Sequence, residues 1–334
     1  MSIFVTDFYS GFLWVAGVFL TLQSSSLRRS LCSGNKIYIL IITRIFRNLI
    51  LFTEMNLIKT SEELSHYRMM LEDKKKSVGF VPTMGALHKG HISLVKEALS
   101  QTDSVIVSIF VNPTQFNDPH DLKNYPRDLV KDMELLSAYP ELEAVFAPDV
   151  EDIYPNMIKR SFNFGNLDKV MEGAFRPGHF DGVAQIVCKL FDLVKPHKAF
   201  FGQKDFQQLT IIKNLVNQFN YNIEIISCPI IREADGLAMS SRNQRLSLVE
   251  REHAVNIPRV LYEAKKKAAE MDVEKLKEWT IFTLNKDPLI QVEYFEIVDS
   301  IELKSIKNWS QAGVKVGCIA VKIGKIRLID NIIF

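Results

Sequence analysis

A strand–turn–helix pattern in residues 77–99 constrains the fold of this chain most. The apolar run 77–81 predicts a buried strand, and residues 92–99 carry apolar side chains at helical spacing. Gly85 and Gly90 lie between them and predict a tight turn. Because the free N–H groups and the positive dipole end at the start of such a helix attract anions, the pattern predicts a phosphate site.

Two of the chain's seven histidines, His88 and His91, fall at the start of this predicted helix. They are three residues apart, so both rings can face the same bound group. The alternative for the pattern H-x-G-H alone is a surface turn with two solvated histidines. The flanking strand and helix favour the phosphate site.

Further strands and helices alternate up to residue 231. The run 104–111 is almost continuously apolar, which is typical of a parallel strand covered on both faces. The remaining predicted strands are 144–147, 199–201 and 223–227. The predicted helices are 61–72 (with Ser61 as N-cap), 122–138, 183–194 and 207–219, and residues 171–179 form a predicted loop. This alternation predicts a doubly wound α/β domain with a parallel sheet.

The pattern changes after Arg232. Two helices, 249–269 and 273–284, precede three predicted strands, 292–298, 316–323 and 327–329. They predict a smaller α+β domain. We therefore expect an N-terminal extension over 1–54, a nucleotide-binding domain over 55–231 and a second domain over 232–334.

Residues 1–54 differ in composition from the rest. The apolar run 12–22 is shorter than the ~20 residues that a membrane helix needs. Asp7 is the only acidic residue before Glu54. The sequence from Met55 onward looks like an ordinary protein N-terminus. Three interpretations stay open for this segment: an upstream translation artefact, a targeting peptide or a membrane anchor.

Charge and cysteine content exclude some classes of function. The net charge of +2 is too small to suggest non-specific nucleic-acid binding. The four cysteines are scattered and form no C-x-x-C pair, so the sequence indicates neither a zinc site nor a disulfide framework. A reducing cytoplasm fits this pattern, with organelle targeting or membrane association through residues 1–54 as the alternative.

The stretch P-T-M-G-A-L-H-K-G-H, residues 82–91, resembles the H-x-G-H signature of the nucleotidylyltransferase and class I aminoacyl-tRNA synthetase superfamily. Residues 239–242 (M-S-S-R) take the place of that superfamily's second, K-M-S-K-S-like signature. More specifically, the chain resembles the pantothenate synthetase (pantoate–β-alanine ligase) family. Further matching blocks follow in the same order: 107–116, 125–127, 173–183, 201–208, 232–243 and 327–331. One departure is Gln203, where the family usually has Glu.

The resemblance implies a Rossmann-like domain followed by a smaller lid domain, and a homodimer. It also implies ATP-dependent condensation of pantoate with β-alanine in pantothenate and coenzyme A biosynthesis. AMP and pyrophosphate are released, and a pantoyl adenylate is the intermediate. Mg²⁺ is expected on the ATP phosphates, bound mostly through them and water.

The resemblance also implies site residues. The catalytic group is His91, the assigned proton donor, with His88 and Lys204. The predicted ATP-binding residues add Met84, Gly85, Ala86, Leu87, Lys89, Gly90, Gly202, Gln203, Asp205, Ile231, Met239, Ser240, Ser241 and Arg242. Gln115 and Gln208 match positions that hold pantoate and β-alanine. Asn112 and Arg176 are secondary candidates, and Asp132 matches an aspartate near the metal.

The chemistry explains why these residue types are present. The pantoate carboxylate is already a nucleophile, so its attack on the α-phosphorus needs alignment and charge neutralisation rather than a base. In the second step the amine of β-alanine must lose a proton, and the sequence identifies no base for it. Two other functions stay open: a different nucleotidylyltransferase, and a non-catalytic nucleotide- or RNA-binding protein.

Overall fold

The computed structural model describes residues 55–117, 119–155 and 160–334. The predictions made for residues 1–54 lie outside these described residues. No helix in the described part of the chain is long and apolar enough to span a membrane.

A six-stranded, entirely parallel sheet forms the larger part of the described structure. Its strands are β1 (Asn56–Ile58), β2 (Val78–Thr83), β3 (Ser104–Ile109), β4 (Ala144–Phe146), β5 (Lys198–Gly202) and β6 (Glu224–Cys228), in the spatial order β1-β4-β3-β2-β5-β6. From β2 the chain builds outward to β3 and β4, then returns to place β5 on the other side of β2. The strand order therefore reverses between β2 and β5, and such a switch point is where open α/β sheets bind ligands.

Helices cover both faces of this sheet. They are α1 (Ser61–Asp73), α2 (Lys89–Gln101), α3 (Pro119–Lys123), α4 (Leu129–Leu136), α5 (Val150–Ile153), α6 (Met171–Phe175), α7 (His179–Val194) and α8 (Phe206–Gln218). Successive strand residues point to opposite faces: Phe80 packs in the core beneath α1, α7 and α8, whereas Val81 packs in the core beneath α2 and α4. Burial on both faces explains the continuous apolar runs in the sequence.

The C-terminal part contains a three-stranded antiparallel sheet of β7 (Ile290–Asp299), β8 (Lys315–Ile323) and β9 (Ile326–Ile333). Its helices are α9 (Leu248–Ala254), α10 (Asn256–Lys267) and α11 (Val273–Asn285), and the last two share a separate apolar core with the sheet. The predicted fold class, a Rossmann-like parallel sheet with a smaller C-terminal α+β part, is confirmed. The boundary at residues 231/232 stays a prediction.

Two predicted helices are each interrupted near a proline. The predicted helix 122–138 is wrong, because Pro126 disfavours the helical conformation of Tyr125 and the chain forms α3 and α4 instead. The predicted helix 249–269 is divided into α9 and α10 near Pro258, which has no N–H to donate to the carbonyl of Ala254. In both cases the apolar periodicity continues across a break in the backbone.

Three local predictions at element ends are also wrong. Thr60, not Ser61, caps α1: its hydroxyl accepts from the Glu63 N–H, while Ser61 donates to Asp152. The predicted loop 171–179 contains α6, and α7 begins at its last residue. Gly90 lies in the first turn of α2 rather than in the preceding turn, and the short edge strand β1 was not predicted.

Candidate active site

Two neighbouring cavities lie at the carboxyl ends of the parallel strands. The inner cavity, about 230 Å³, is bordered by the segments that follow β2, β3 and β5. The outer cavity, about 670 Å³, lies between α6, α7 and the strands of the C-terminal sheet. Both are lined by Lys204, Asp205, Gln208, Ser240 and Arg242, so these residues mark the junction. The inner cavity lies at the switch point between β2 and β5.

His88 and His91 form the base of the inner cavity. His88 is the N-cap of α2, and its Nδ1 accepts the Gly90 N–H at 3.1 Å. His91 Nδ1 in turn accepts the His88 N–H at 3.3 Å, and the two ring centroids are 4.1 Å apart. Since both Nδ1 atoms are acceptors, each neutral ring carries its proton on Nε2. The pair therefore offers two N–H donors to a bound phosphate.

Gly90 allows this arrangement. A Cβ atom at that position would lie 2.8 Å from His88 Cε1 and 2.9 Å from Nδ1, closer than van der Waals contact permits. The glycine in H-x-G-H is therefore required for the His88 ring to fold back over the start of the helix.

Both histidines are held neutral. Burial lowers the pKa of His88 to about 4, and the positive charge of Lys204 adds to this effect. Burial, His88 and Lys204 lower the pKa of His91 to about 3. At neutral pH these side chains therefore act as hydrogen-bond donors without adding charge, and Lys204 supplies the cation.

Asp132 supports the loop before the histidines. Its carboxylate, 3% exposed, accepts from the Ala86 N–H at 3.0 Å and the Leu87 N–H at 2.7 Å. Ala86 has a positive φ of 50°, which an alanine adopts at a cost, and these bonds hold it there. Asp132 lines neither cavity. The contacts therefore favour a positioning role over the predicted role near the metal.

Gln115 reaches the inner cavity from a short 3₁₀ turn, Pro113–Gln115, after β3. Its side-chain Nε2 lies 2.8 Å from Met84 Sδ, and its Oε1 accepts from Asn112 Nδ2 at 3.2 Å. Asn112 is 1% exposed and also donates to the carbonyl of Gly182 on α7 at 3.0 Å. Asn112 therefore fixes the turn that carries Gln115.

The close packing of α7 on this turn depends on Gly182. A Cβ atom there would lie 2.3 Å from the Thr114 carbonyl oxygen. One turn earlier, His179 Nδ1 lies 2.7 Å from the Gln115 carbonyl oxygen, and its Nε2 lies 3.1 Å from Arg176 Nη1. A carbonyl can only accept, so His179 carries its proton on Nδ1 and accepts from Arg176. Burial and the charge of Arg176 lower the pKa of His179 to about 4, which keeps this tautomer neutral.

Lys204 stands on a 3₁₀ turn, Gln203–Asp205, that the C-terminal strand β9 supports. Asn331 Nδ2 donates to the carbonyls of Gln203 (2.8 Å) and Lys204 (2.9 Å). Gln203, which stands where the family usually has Glu, lines neither cavity. Gln208, in the first turn of α8, lines both cavities.

The M-S-S-R segment covers the junction of the cavities. Ser240 caps the 3₁₀ helix Ser241–Arg245 by accepting the Arg242 N–H. Arg242 and Arg245 pair with Asp121 of α3 at 2.9 and 3.3 Å. Tyr125, 8% exposed, lines the inner cavity below them. The sequence contained a signal for Tyr125, in the block 125–127, but gave no role to Asp121.

An ion-pair cluster at the outer cavity was not predicted. The Glu172 carboxylate on α6 accepts from Arg327 Nη1 and Nη2, both at 2.7 Å, and from Tyr294 Oη at 2.7 Å. Arg327 Nε also donates to Glu293 at 2.6 Å. This cluster joins the parallel-sheet part to the C-terminal sheet. The only signal for it in the sequence is the position of two residues: Glu172 directly precedes the matched block 173–183, and Arg327 begins the block 327–331.

The structure brings most of the predicted site residues together. Those lining one or both cavities are Met84, His88, Gly90, His91, Asn112, Gln115, Arg176, Gly202, Lys204, Asp205, Gln208, Ile231, Met239, Ser240, Ser241 and Arg242. Gly85, Ala86, Leu87, Lys89, Gln203 and Asp132 line neither. Gly85, Ala86 and Leu87 belong to the turn before α2, and Lys89 is the first residue of that helix. Asp132 accepts from the backbone of that turn, and Gln203 lies in the turn that carries Lys204.

Comparisons with known proteins identify the family of this chain. The family model for pantoate-beta-alanine ligase matches residues 56–333. The pantothenate synthetase of Bacteroides fragilis (strain YCH46) is 51% identical over 278 residues, which cover 83% of this chain and 98% of the relative. A crystal structure of the Thermus thermophilus enzyme is 39% identical with a TM-score of 0.78, covering 83% of this chain and 99% of that one.

A third match carries bound molecules. The pantoate-beta-alanine ligase of Francisella tularensis, complexed with beta-gamma ATP and β-alanine, is 37% identical with a TM-score of 0.69. The match covers 83% of this chain and 97% of that one. With a family model and relatives that span nearly their whole length, the chain belongs to the pantoate–β-alanine ligase family.

Proposed function

We propose that the chain condenses pantoate with β-alanine in an ATP-dependent reaction that releases AMP and pyrophosphate. The observation that carries this proposal is the inner cavity, which joins neutral histidine donors, Lys204 and two glutamines at one switch point. Family membership supports the overall reaction. The roles of individual residues are those that the family resemblance implies, and the inner cavity supports them because it brings these residues together.

In the first step, the pantoate carboxylate attacks the α-phosphorus of ATP and pyrophosphate leaves. His88 and His91 donate from Nε2 to phosphate oxygens, and His91 is the deeper of the two. Lys204 neutralises charge that accumulates at the α-phosphate, and Arg242 does the same for the departing pyrophosphate. Gln115 and Gln208 bind the hydroxyl and carboxylate groups of pantoate through their amides.

Mg²⁺ accompanies ATP in this proposal. Within residues 55–117, 119–155 and 160–334, no group of three or more His, Cys, Asp or Glu side chains could hold a metal ion. Mg²⁺ typically keeps several waters and binds through substrate phosphates, so water and ATP itself would supply most of its ligands. We further propose a cytoplasmic homodimer, which sedimentation of the purified protein and cell fractionation would test.

The proposal is tested by product analysis. Purified protein should release AMP from Mg-ATP at catalytic turnover only when pantoate and β-alanine are both present, and pantothenate should form in equal amount. Release of ADP would contradict an adenylate intermediate. AMP transfer to a phosphorylated alcohol, without a requirement for β-alanine, would favour the other nucleotidylyltransferase function instead.

A further inference from the structure

The side-chain amide of Gln115 is held in one orientation by hydrogen bonds that run through Asn112. The N–H of Thr114 can only donate, and it faces Asn112 Oδ1 at 3.3 Å. The carbonyl of Gly182 can only accept, and it faces Asn112 Nδ2 at 3.0 Å. Asn112 Nδ2 therefore also donates to Gln115 Oε1, at 3.2 Å. Since Oε1 is occupied, Gln115 presents N–H groups to the inner cavity, and one of them faces Met84 Sδ.

Tyr154, at the end of α5, reinforces this orientation from 42 residues further along the chain. Its hydroxyl donates to Asn112 Oδ1 at 3.0 Å, as does the hydroxyl of Thr114 at 3.0 Å. The Tyr154 ring packs edge-on against Phe110, with the centroids 6.2 Å apart. Burial raises the pKa of Tyr154, so its hydroxyl stays protonated and donates at neutral pH. Tyr154 lines neither cavity, so it influences the site only through the orientation of Gln115.

The intermediate of the proposed reaction contains a nucleophile of its own. The pantoyl group carries a terminal hydroxyl, which can attack the activated acyl carbon and close a five-membered lactone ring. Well-oriented intramolecular reactions can reach effective molarities of ~10⁵–10⁸ M, far above any concentration of β-alanine. An adenylate that waits for β-alanine is therefore lost as lactone unless the site holds the terminal hydroxyl away from the acyl carbon.

We propose that the fixed amide of Gln115 binds the terminal hydroxyl of the pantoyl group and thereby prevents the adenylate from cyclising. The proposal rests on the proposed function and deepens the substrate contact that the family resemblance implies for Gln115. An N–H donated to the hydroxyl oxygen occupies a lone pair that the attack needs. An amide turned the other way would accept the hydroxyl proton and assist the attack. The orientation that Asn112 and Tyr154 impose is therefore the protective one.

The suppressed reaction needs no further reactant. The terminal hydroxyl oxygen forms a bond to the acyl carbon, and its proton passes to water. The bond from that carbon to the AMP oxygen breaks, and AMP leaves with the electron pair. ATP and pantoate thus give lactone, AMP and pyrophosphate without β-alanine.

Removal of the Gln115 amide tests the proposal directly. With saturating pantoate and Mg-ATP but no β-alanine, full-length Gln115→Ala should release AMP at least about tenfold faster than wild type. Lactone should form in equal amount, as measured by chromatography and mass spectrometry. In oxygen-labelled water the lactone should carry no label, whereas hydrolysis of the adenylate would put label into pantoate. Wild type should show pantoate-dependent exchange of labelled pyrophosphate into ATP, which measures adenylate formation, with little release of AMP.

A second variant changes the orientation of the amide without touching the cavity. Tyr154→Phe removes one donor to Asn112 and keeps the ring, so it should raise lactone formation at least about threefold, less than Gln115→Ala because Thr114 keeps its bonds. ATP affinity, measured by calorimetry without pantoate, should stay nearly constant. The matched control is Tyr67→Phe, whose lost hydroxyl donates to Glu143 at 3.1 Å and lines neither cavity. It should form lactone at the wild-type rate.

Each alternative gives a different result. Release of AMP with labelled pantoate in place of lactone would mean that Gln115 excludes water, and would overturn the proposal. Lactone formation at the wild-type rate in either folded variant would also overturn it, as would an equal rise in Tyr67→Phe. If Gln115→Ala does not fold, the lactone rate of Tyr154→Phe decides alone. If wild type shows no pantoate-dependent exchange, then the proposed function itself fails, because no adenylate forms.

Discussion

Replacing Glu172 by glutamine tests the ion-pair cluster that joins the two parts of the structure. The wild-type carboxylate is 8% exposed and receives three hydrogen bonds, two from Arg327 and one from Tyr294. Glutamine keeps the shape but removes the charge, and its NH₂ group faces the donors of Arg327. Breaking a buried ion pair from one side typically costs about 3–5 kcal/mol. Arg327 keeps Glu293 at 2.6 Å, so we expect a loss near the lower end, about 3 kcal/mol.

Urea unfolding of the full chain, followed by circular dichroism, measures this loss at pH 7. The matched control is Glu263→Gln in α10, where the ion pair with Lys267 is 3.8 Å long and both side chains are substantially exposed. That variant should lose less than about 0.5 kcal/mol. A Glu172→Gln variant within about 1 kcal/mol of wild type would refute the reasoning, because the cluster would then contribute no more than surface pairs do.

The pH dependence gives a second check on the same residue. Burial alone would raise the pKa of Glu172, but the hydrogen bonds and charge of Arg327 outweigh it, so the net pKa lies below its ordinary value. A carboxylate whose pKa is lowered by folding contributes its stability above the unfolded-state pKa, near ~4.3 for glutamate, and loses it as pH falls through the folded value. The difference in stability between wild type and variant should therefore be full at pH 7 and shrink below about pH 4. A difference that grows with acid would contradict the assignment.

Three predictions concern the inner cavity. His91→Ala should lower pantoate-dependent pyrophosphate exchange by ~10²–10³-fold, as expected for loss of one preorganised donor, and a rate within about tenfold of wild type would assign the residue to structure. Gln115→Ala and Gln208→Ala should each weaken pantoate binding about five- to a hundredfold, from a loss of roughly 1–3 kcal/mol, while ATP affinity measured by calorimetry without pantoate stays nearly constant. Since the pKa of His88 is about 4 and that of His91 about 3, both stay neutral as pH falls from about 8 to about 5, and the exchange rate should show no step from their protonation in that range.

The sequence predicted the parallel sheet because both faces of its strands are buried. In β3, Val105 and Val107 pack on one side and Ile106 on the other, so the run shows no polar alternation and is almost continuously apolar. The edge strand β1 is three residues long, and one of those residues is buried, which leaves no periodicity to detect. Predictable elements are therefore those whose own side chains fill the core.

The wrongly predicted helices show what apolar periodicity does not predict. Periodicity reports which side chains face the core, but not whether the backbone between them is continuous. The apolar spacing in the sequence continues across Pro126 and Pro258, although each proline removes a helical N–H. In both cases the proline is a stronger signal for a break in the helix than the apolar periodicity is for a continuous helix.

From local patterns alone, without the family resemblance, site residues were predictable where the chemistry is local and not where it depends on distant parts of the chain. His88, Gly90 and His91 form their hydrogen bonds within four residues, so the short pattern contains the whole arrangement. Glu172 and Arg327 are 155 residues apart, and nothing in either neighbourhood specifies the other.

The last strand, β9, is another case in which distant parts of the chain build the site. It positions active-site residues, although the proposed chemistry gives it no contact with the phosphates. Asn331 on β9 binds the two backbone carbonyls that orient Gln203 and Lys204, 128 and 127 residues earlier in the chain. Next to it, Asp330 pairs with Arg232 at 2.7 Å, where the chain leaves the parallel sheet for the M-S-S-R segment. One short strand thus fixes both the turn that carries Lys204 and the start of the segment that carries Arg242. The polar pair Asp330 and Asn331 in this strand is therefore explained by the positions of two cations.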